Sequence, residues 1–473
     1  MKGYFKKGIL ALLLTLVFFT TALSDDGVLR LSLKDSIEMA LERSVIIHSA
    51  KEGVRVSEAE RKKARTSFLP QLSTSYTYTR LNESPEVRIL NSRVEAGKED
   101  NYNWELELTQ PIFTGGAILN SYEISKIDLE MSHLSEASTT QDIVLEVKKS
   151  YYNILKSERI MELANQSVQQ LQAHRDTAQS FYDVGIIPKN DLLYAEVELA
   201  NGYQDLVRAE NALNLAKAKF NTVIRRDIHL SVEIEDILTY TPFEKGFDEC
   251  LAMGLQKRPE IRAHELEYEK AGRAVSLAKS EFFPTLNVVG NYSRYGEKPD
   301  VRGSKYQDSE AWYVAAVTQW NFWEWGKTRF SVDASRSREK QVMDMLVNIK
   351  DGISLQIKNS YLLLKEAEKR IFVAEKAIEQ AEENFRINRE RYKEQVATST
   401  DVIDAQTLLT KTKSDYFNAL SDYNIALGTL ERAMGISYSG ENLNRVGLWS
   451  NVGLEALRNQ QVQESEAVQS FSR

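Results

Sequence analysis

Laid upon itself, this 473-residue chain matches its own second half. The segment from Ala40 to Arg80 falls on Gly254 to Arg294 at a constant shift of 214, with Leu41 on Leu255, Phe68 on Phe282, Pro70 on Pro284 and Tyr78 on Tyr292. Thr109 and Gln110 then fall on Thr318 and Gln319 at a shift of 209. From Gly116 a shift of 210 holds without a gap for about a hundred residues, carrying Ser150 and Tyr151 onto Ser360 and Tyr361, Tyr182 onto Tyr392 and Asp191 onto Asp401. Two copies of one structural unit are therefore expected, at 25–226 and 246–435, joined by a segment at 227–245 and followed by a polar tail at 436–473 that reads as disordered.

Only 8 Pro and 22 Gly interrupt the chain, which favours long helices. In each copy a short and a medium helix (about 33–47 and 50–68; 246–257 and 259–282) run up to a proline. A very long helix follows, about 117–184 and 327–394, and a last one, about 190–224 and 400–434, folds back beside it. Some 65 helical residues extend roughly 100 Å, far beyond what a globular domain needs. Val144, Val147, Tyr151, Ile154, Met161 and Val168 recur in steps of three, four or seven, the spacing of coiled-coil packing.

Between the helices the period changes from helical to two. After Pro70, Leu72, Thr74, Tyr76 and Tyr78 alternate with Ser73, Ser75, Thr77 and Thr79; Tyr102, Trp104, Leu106 and Leu108 alternate with Asn103, Glu105, Glu107 and Thr109. The second copy repeats this after Pro284. Four strands of about ten residues are expected at 71–80, 101–110, 285–294 and 311–321, joined pairwise by polar hairpin loops at 81–100 and 295–310. Pro70 and Pro284 mark the helix-to-strand turns, since proline cannot continue a helix but is allowed at a strand's first residues.

One reading of these strands is a small soluble sheet with one face on a core. The other is a membrane sheet: aromatics gather near the strand ends, the length suits a tilted membrane strand, and no further layer is available to cover the apolar face. Hydrocarbon tolerates strands only in a closed barrel, and four strands cannot close one. The chain would then pool strands with copies of itself, two giving eight and three giving twelve, the wider ring leaving an open core. Glu105 and Glu107 would face the lumen by alternation; their other role is to keep the wet face soluble.

The first 24 residues carry Lys2, Lys6 and Lys7, an apolar run from Ile9 to Phe19, and Ala22 and Ser24 at the spacing of a cleavage site, so a signal peptide is expected at 1–24, with a retained anchor as the rival. A net charge of -8 argues against a nucleic-acid partner. The 5 histidines are scattered with no ligand spacing, and Cys250 is the single cysteine, so no metal site is suggested. There is no phosphate loop, dinucleotide turn or nucleophile elbow. No cofactor and no enzymatic activity are expected, and any energy source must come from a partner.

With the signal peptide and the doubled helix, proline, hairpin and helix-pair order, three stretches carry a resemblance: "TQPIFTGG" at 109–116, "FYDVGIIPKNDLLYAEVELANGYQDLVRAENAL" at 181–213 and "TDVIDAQTLLTKTKSDYFNALSDYNIALGTLERAMG" at 400–435. The chain resembles the TolC-type outer-membrane efflux proteins over nearly all of its mature length. The resemblance implies a mainly α fold with a membrane β-barrel: a homotrimer with a twelve-stranded barrel in the lipid of the outer membrane and a helical tunnel across the periplasm. It implies a periplasmic adaptor and an inner-membrane transporter as partners, in efflux of drugs or metals or in type I secretion of proteins. By the same resemblance Asp401 and Asp404 match an aspartate pair ringing the closed end, Asp191 the first-copy aspartate and Tyr392 a tyrosine of the closing network. The arginine that completes that network in the family's best-known member is here Ala397, and its glycine-containing turn is here "KEQVA". Apart from the resemblance, Asp401 and Asp404 are three apart near a helix start and can share one face. Asp401 equally suits a helix N-terminal charge favoured by the dipole. The alternative function is a periplasmic coiled-coil scaffold without a pore, which explains the helices but leaves the strands and both prolines idle.

Overall fold

The computed structural model describes residues 29–89 and 92–438. The expected signal peptide at 1–24 and the tail from 439 onward lie outside the described residues. Of the tail, residues 436–438 are ordered: Ile436 and Tyr438 pack against the core, and the Ser437 hydroxyl accepts from Gln141 at 3.4 Å.

Eight helices and eight strands are seen among the described residues. Helix α1 (Leu33–Arg43) starts at a capping box in which Ser32 and Asp35 satisfy each other's backbone N–H. Helix α2 (Val45–Thr66) begins at Ser44, whose hydroxyl accepts from the Ile47 N–H. The break expected between 47 and 50 therefore comes earlier, because a serine able to cap outweighs the continuing apolar run. The second-half counterparts are α5 (Phe247–Lys257) and α6 (Pro259–Ser280), with Arg258 in the place of Ser44 and Pro259 supplying a preset φ at the first helical position.

The long helices α3 (Ala117–Asp183) and α7 (Lys327–Lys393) have 67 residues each, about 100 Å of rise. Both start after a glycine in the left-handed region, Gly116 and Gly326. Helices α4 (Lys189–Val223) and α8 (Ser399–Ala433) return along them. Near the sheet, α3 and α7 are flanked by α2 and α6, with α6 packed against both; toward the far end they are flanked by α4 and α8.

The widest core lies at the waist, where α1, α5 and a short parallel ribbon of β1 (Leu29–Leu31) and β6 (Val232–Ile234) wrap the middles of α3 and α7. This ribbon lay unread in the sequence because three-residue strands leave no period. Its anchor is Tyr151, buried in mid α3, whose hydroxyl meets the carbonyls of Glu235 at 2.7 Å and Leu31 at 3.2 Å. Tyr423 of α8 likewise donates to the Thr241 carbonyl at 2.6 Å.

Four antiparallel strands make one sheet in the order β2 (Gln71–Arg80), β5 (Asp100–Phe113), β7 (Thr285–Gly296), β8 (Glu310–Gln319), so β2 and β8 are open edges in the single chain. The loop between β2 and β5 is not simply polar coil: it carries its own hairpin, β3 (Glu86–Ile89) with β4 (Ser92–Glu95). Gln71 pairs with Thr109 and Thr285 with Gln319, so Thr109 corresponds to Gln319 and the shift is already 210 within the strands. The 209 alignment of the two Thr-Gln pairs is thereby corrected. A one-residue slip exchanges the two faces, and side-chain identity in a short window cannot outweigh that.

With this register the faces separate across all four strands. Leu72, Tyr76, Leu106, Leu108, Leu286, Val288, Tyr292, Trp312 and Val314 share one face; Ser73, Ser75, Glu105, Glu107, Asn291 and Ser293 share the other.

Candidate functional site

The two ends of the molecule carry the features that bear on function. At the sheet end, Glu105 lies opposite Ser75 and Ser293, and Glu107 opposite Ser73 and Asn291, all on the polar face. Asn103 donates to the Glu105 carboxylate at 2.6 Å, and Thr109 to Glu107 at 3.2 Å. Both glutamates are thus held by polar neighbours within a solvated face. Pro70 and Pro284 stand immediately before β2 and β7, each after a tight turn closing α2 or α6. Gly115, at φ +62, sits directly on the second of these turns: a Cβ there would lie 2.5 Å from the Ser280 carbonyl oxygen and 2.9 Å from Phe283 Cβ. The first half's strand-to-helix turn is seated in this way on the second half's helix-to-strand turn.

At the far end, α3 turns into α4 through residues 184–188 and α7 into α8 through 394–398. The second turn has Gln395 at φ +62 where the first has Gly185 at +76. A glutamine here accepts a conformation that costs L-residues roughly 1–2 kcal/mol. Tyr392 is buried, its ring 4.8 Å from His174 and 5.5 Å from Phe181, so α7 is pinned to the end of α3. Ala397 packs in the same apolar cluster with Phe385, Val402 and Leu409. The Tyr392 hydroxyl makes no hydrogen bond of good geometry. The Ser399 hydroxyl is engaged by His174 Nε2 at 2.8 Å.

Burial keeps His174 neutral, with a pKa lowered to about 4. Burial also pushes the Tyr392 phenol up, and the Asp191 carboxylate near it adds to this. Asp401 is the N3 residue of a capping box: its carboxylate accepts from the Thr398 N–H and hydroxyl, both at 2.8 Å, and these bonds hold it below the usual carboxylate range. Asp404, one turn on, is exposed. Burial and the carboxylates of Glu198 and Asp404 push up the phenol of Tyr194 on α4. The structure commits Asp401 to its own helix start and leaves Asp404 exposed, while Asp191 lies in the first turn of α4. Glu105 and Glu107 are at the opposite end of the molecule.

Beside Tyr392 lies a cavity of about 310 Å³ lined by His174, Thr177, Phe385, Arg389, Lys393 and Gln406 among others. Among the described residues no group of three His, Cys, Asp or Glu side chains could hold a metal.

Two arrangements went unread in the sequence. His174 follows Leu171 by three and precedes Ala178 by four, all buried, so its signal was a histidine on an apolar stripe. At the waist, Arg432, 8% exposed, donates to Asp142 at 2.6 Å, Glu260 at 2.6 Å and Ser138 at 2.9 Å. Arg258 completes the cluster on Glu260 at 2.9 Å and on the Ala433 carbonyl at 3.3 Å. Burial alone would raise the Glu260 carboxyl, but hydrogen bonds from Arg432 and Arg258 outweigh it and hold it at about 2. These residues are spread over three helices, and no spacing in the chain announces them.

The family model for the outer membrane efflux protein matches residues 36–223 and 251–436. Nodulation protein T of Rhizobium leguminosarum bv. trifolii is 18% identical over 433 residues, covering 90% of this chain and 89% of that protein. Outer membrane protein TolC of Vibrio cholerae is 21% identical over 383 residues, covering 79% and 83%. Among solved structures, the CmeC outer membrane channel of Campylobacter jejuni superposes with a TM-score of 0.75 at 15% identity, covering 88% of this chain and 89% of that one. The helical hairpins, the waist and the strand pairs described above are therefore those of a known channel fold, and the chain belongs to the outer membrane efflux protein family.

Proposed function

We infer that this chain is the exit duct of a tripartite efflux or type I secretion system. Three copies close a twelve-stranded barrel in the outer membrane and pack their long helices into a tunnel across the periplasm. Substrates delivered by an inner-membrane transporter through a periplasmic adaptor leave through it passively.

The observation that carries this reading is the four-stranded sheet, open at both edges, apolar along one face up to the charged residues Arg80, Asp100, Arg294 and Glu310 at its loop end, and mounted on helices of 67 residues. In hydrocarbon every backbone donor and acceptor must be paired, and four strands cannot curl far enough to pair their own edges. Sister chains must supply the missing partners, and with the apolar face toward lipid, Glu105 and Glu107 line the lumen. A periplasmic scaffold would leave that apolar face with nothing to cover it.

Asp191, Asp401, Asp404 and Tyr392 belong, on this reading, to the constriction at the tunnel's periplasmic end. Threefold repetition of Asp401 and Asp404 sets about six carboxylates round one axis, an arrangement that selects or binds cations. With Ala397 where an arginine would tie the turn, closure rests instead on the packing of Tyr392 against His174 and Phe181.

The test is the mass of the purified protein in detergent together with its conductance in planar bilayers. A trimer that forms cation-selective pores is expected. A monomer, or a protein washed from membranes by alkali without detergent, would overturn the reading.

A further inference from the structure

We propose that β2 of a second copy of this chain adds to the open edge of β8 in one defined register, the register that β5 and β7 already use inside the chain. This rests on the trimeric reading above and goes beyond it by naming the residue pairs of the seam.

The two strand pairs of the chain are internally equivalent. Because Gln71 faces Thr109 and Thr285 faces Gln319, β2 corresponds to β7 at a shift of 214 and β5 to β8 at a shift of 210. The β5–β7 junction is then the within-chain form of a β8–β2 junction between chains. Its pairs Trp104–Arg294, Glu105–Ser293, Leu106–Tyr292 and Glu107–Asn291 can be carried over one by one. They set Val314 opposite the partner's Arg80, Ala315 opposite the partner's Thr79, Ala316 opposite the partner's Tyr78 and Val317 opposite the partner's Thr77.

Two further observations agree with this register. The first is the match of faces. Val314 and Ala316 pair with Gly290 and Val288 on the apolar face, and Tyr76 and Tyr78 lie on that same face of β2. A slip of one residue would turn both tyrosines onto the polar side.

The second is strand length. Strand β5 runs on to Phe113 along β7, through a bulge between Pro111 and Phe113. Strand β8 stops at Gln319, and residues 320–323, the equivalents of 110–113, carry no strand. They end where the single chain offers nothing to pair with. In the proposed seam Trp320 meets the partner's Thr74, and after an equivalent bulge Trp323 meets the partner's Leu72.

Below the strands the seam departs from its within-chain counterpart. Gly115 can sit on Ser280 and Phe283 because it has no side chain. Its equivalent is Trp325, at φ +53 and 85% exposed, which cannot approach the partner's Thr66 and Leu69 as closely. The barrel base therefore stands wider at the seams between chains than at the junctions within them.

Disulfide trapping tests the register. Directly opposed residues on antiparallel strands have Cα atoms about 4.5–5.5 Å apart, within disulfide reach, whereas partners displaced by two lie about 7–8 Å away. Two double variants are predicted to cross-link, Thr79→Cys with Ala315→Cys and Thr77→Cys with Val317→Cys. After oxidation most chains should run as covalent dimers and trimers on non-reducing gels. The displaced combinations, Thr77→Cys with Ala315→Cys and Thr79→Cys with Val317→Cys, use the same four positions on the same polar face and should remain mostly unlinked. Buried Cys250 stays in all four proteins. Preferential linking of the displaced pairs, or no linking at all in a protein that is still trimeric, overturns the register and leaves the trimer standing. No linking in a protein that is monomeric in detergent overturns both.

Discussion

His174 and Tyr392, 218 positions apart in sequence, lie with ring centroids 4.8 Å apart and join α3 to α7 at the end remote from the sheet. The histidine is neutral and bonded to Ser399, while the tyrosine hydroxyl beside it is unbonded. The pair therefore holds by packing and by the absence of charge.

That makes this end of the molecule acid-sensitive. His174 is held at a pKa of about 4 against 6.5 in the unfolded chain. Its contribution to stability is fully present above 6.5, shrinks as the unfolded chain takes up the proton, and is lost as pH falls through about 4. Hydrogen exchange of the amides at 170–180 and 390–400 is expected to accelerate over that window, and His174→Gln should flatten the dependence. In the same region Tyr392→Phe, which removes only an unbonded hydroxyl, should leave exchange unchanged. Tyr392→Ala should cost about 3–5 kcal/mol of local stability.

The waist has its own acid limit, at lower pH. Glu260 is held at about 2 against 4.5, so the stability it shares with Arg258 and Arg432 is complete above 4.5 and lost as pH falls through about 2. The shift corresponds to a contribution on the order of 3 kcal/mol. Glu260→Gln leaves two buried guanidinium groups short of a carboxylate and should lower the thermal midpoint at pH 7, while removing the fall between pH 4.5 and 2. Thermal unfolding followed by circular dichroism across that range checks both parts.

Equivalent positions at the two strand-to-helix turns should respond with opposite sign. Gly115→Ala forces a Cβ against the Ser280 carbonyl oxygen from a left-handed backbone and should destabilise by more than about 1 kcal/mol. Trp325→Gly relieves a left-handed tryptophan whose side chain is open to solvent and should be neutral or stabilising for the folded chain. Thermal midpoints of the two variants, measured side by side, decide this.

At the far end, charge and helix capping can be separated. Asp404→Asn removes an exposed carboxylate with no capping duty and should weaken block by multivalent cations in planar bilayers while leaving the thermal midpoint unchanged. Thr398→Ala removes the hydroxyl that bonds Asp401 and should cost about 1 kcal/mol at the start of α8 without changing the block. Block unaltered by Asp404→Asn would overturn the proposal that this turn forms a constriction.

The helix spans, the four alternating strands and both proline turns were legible in the sequence because each rests on a local period or a local steric rule. A helix of 67 residues repeats its apolar spacing many times, and Pro70 and Pro284, each following a helical run, cannot continue the helix before them. The polar face of Glu105 and Glu107 was legible for the same reason, since alternation assigns faces without reference to any partner. By contrast, the one-residue offset that makes β8 the equivalent of β5, the β3–β4 hairpin inside a polar loop and the three-residue ribbon at the waist depend on pairings that no short window of sequence encodes.

The chain alone therefore determined the kinds of element, their order and their amphipathic faces, because backbone sterics and side-chain period act over a few residues. Only the tertiary structure decided that His174 meets Tyr392, that Arg432 meets Glu260 and that Gly115 lies on Ser280. Those meetings are settled by the packing of whole helices and by the hydrogen bonds a buried polar group must find, and both are properties of the assembled core.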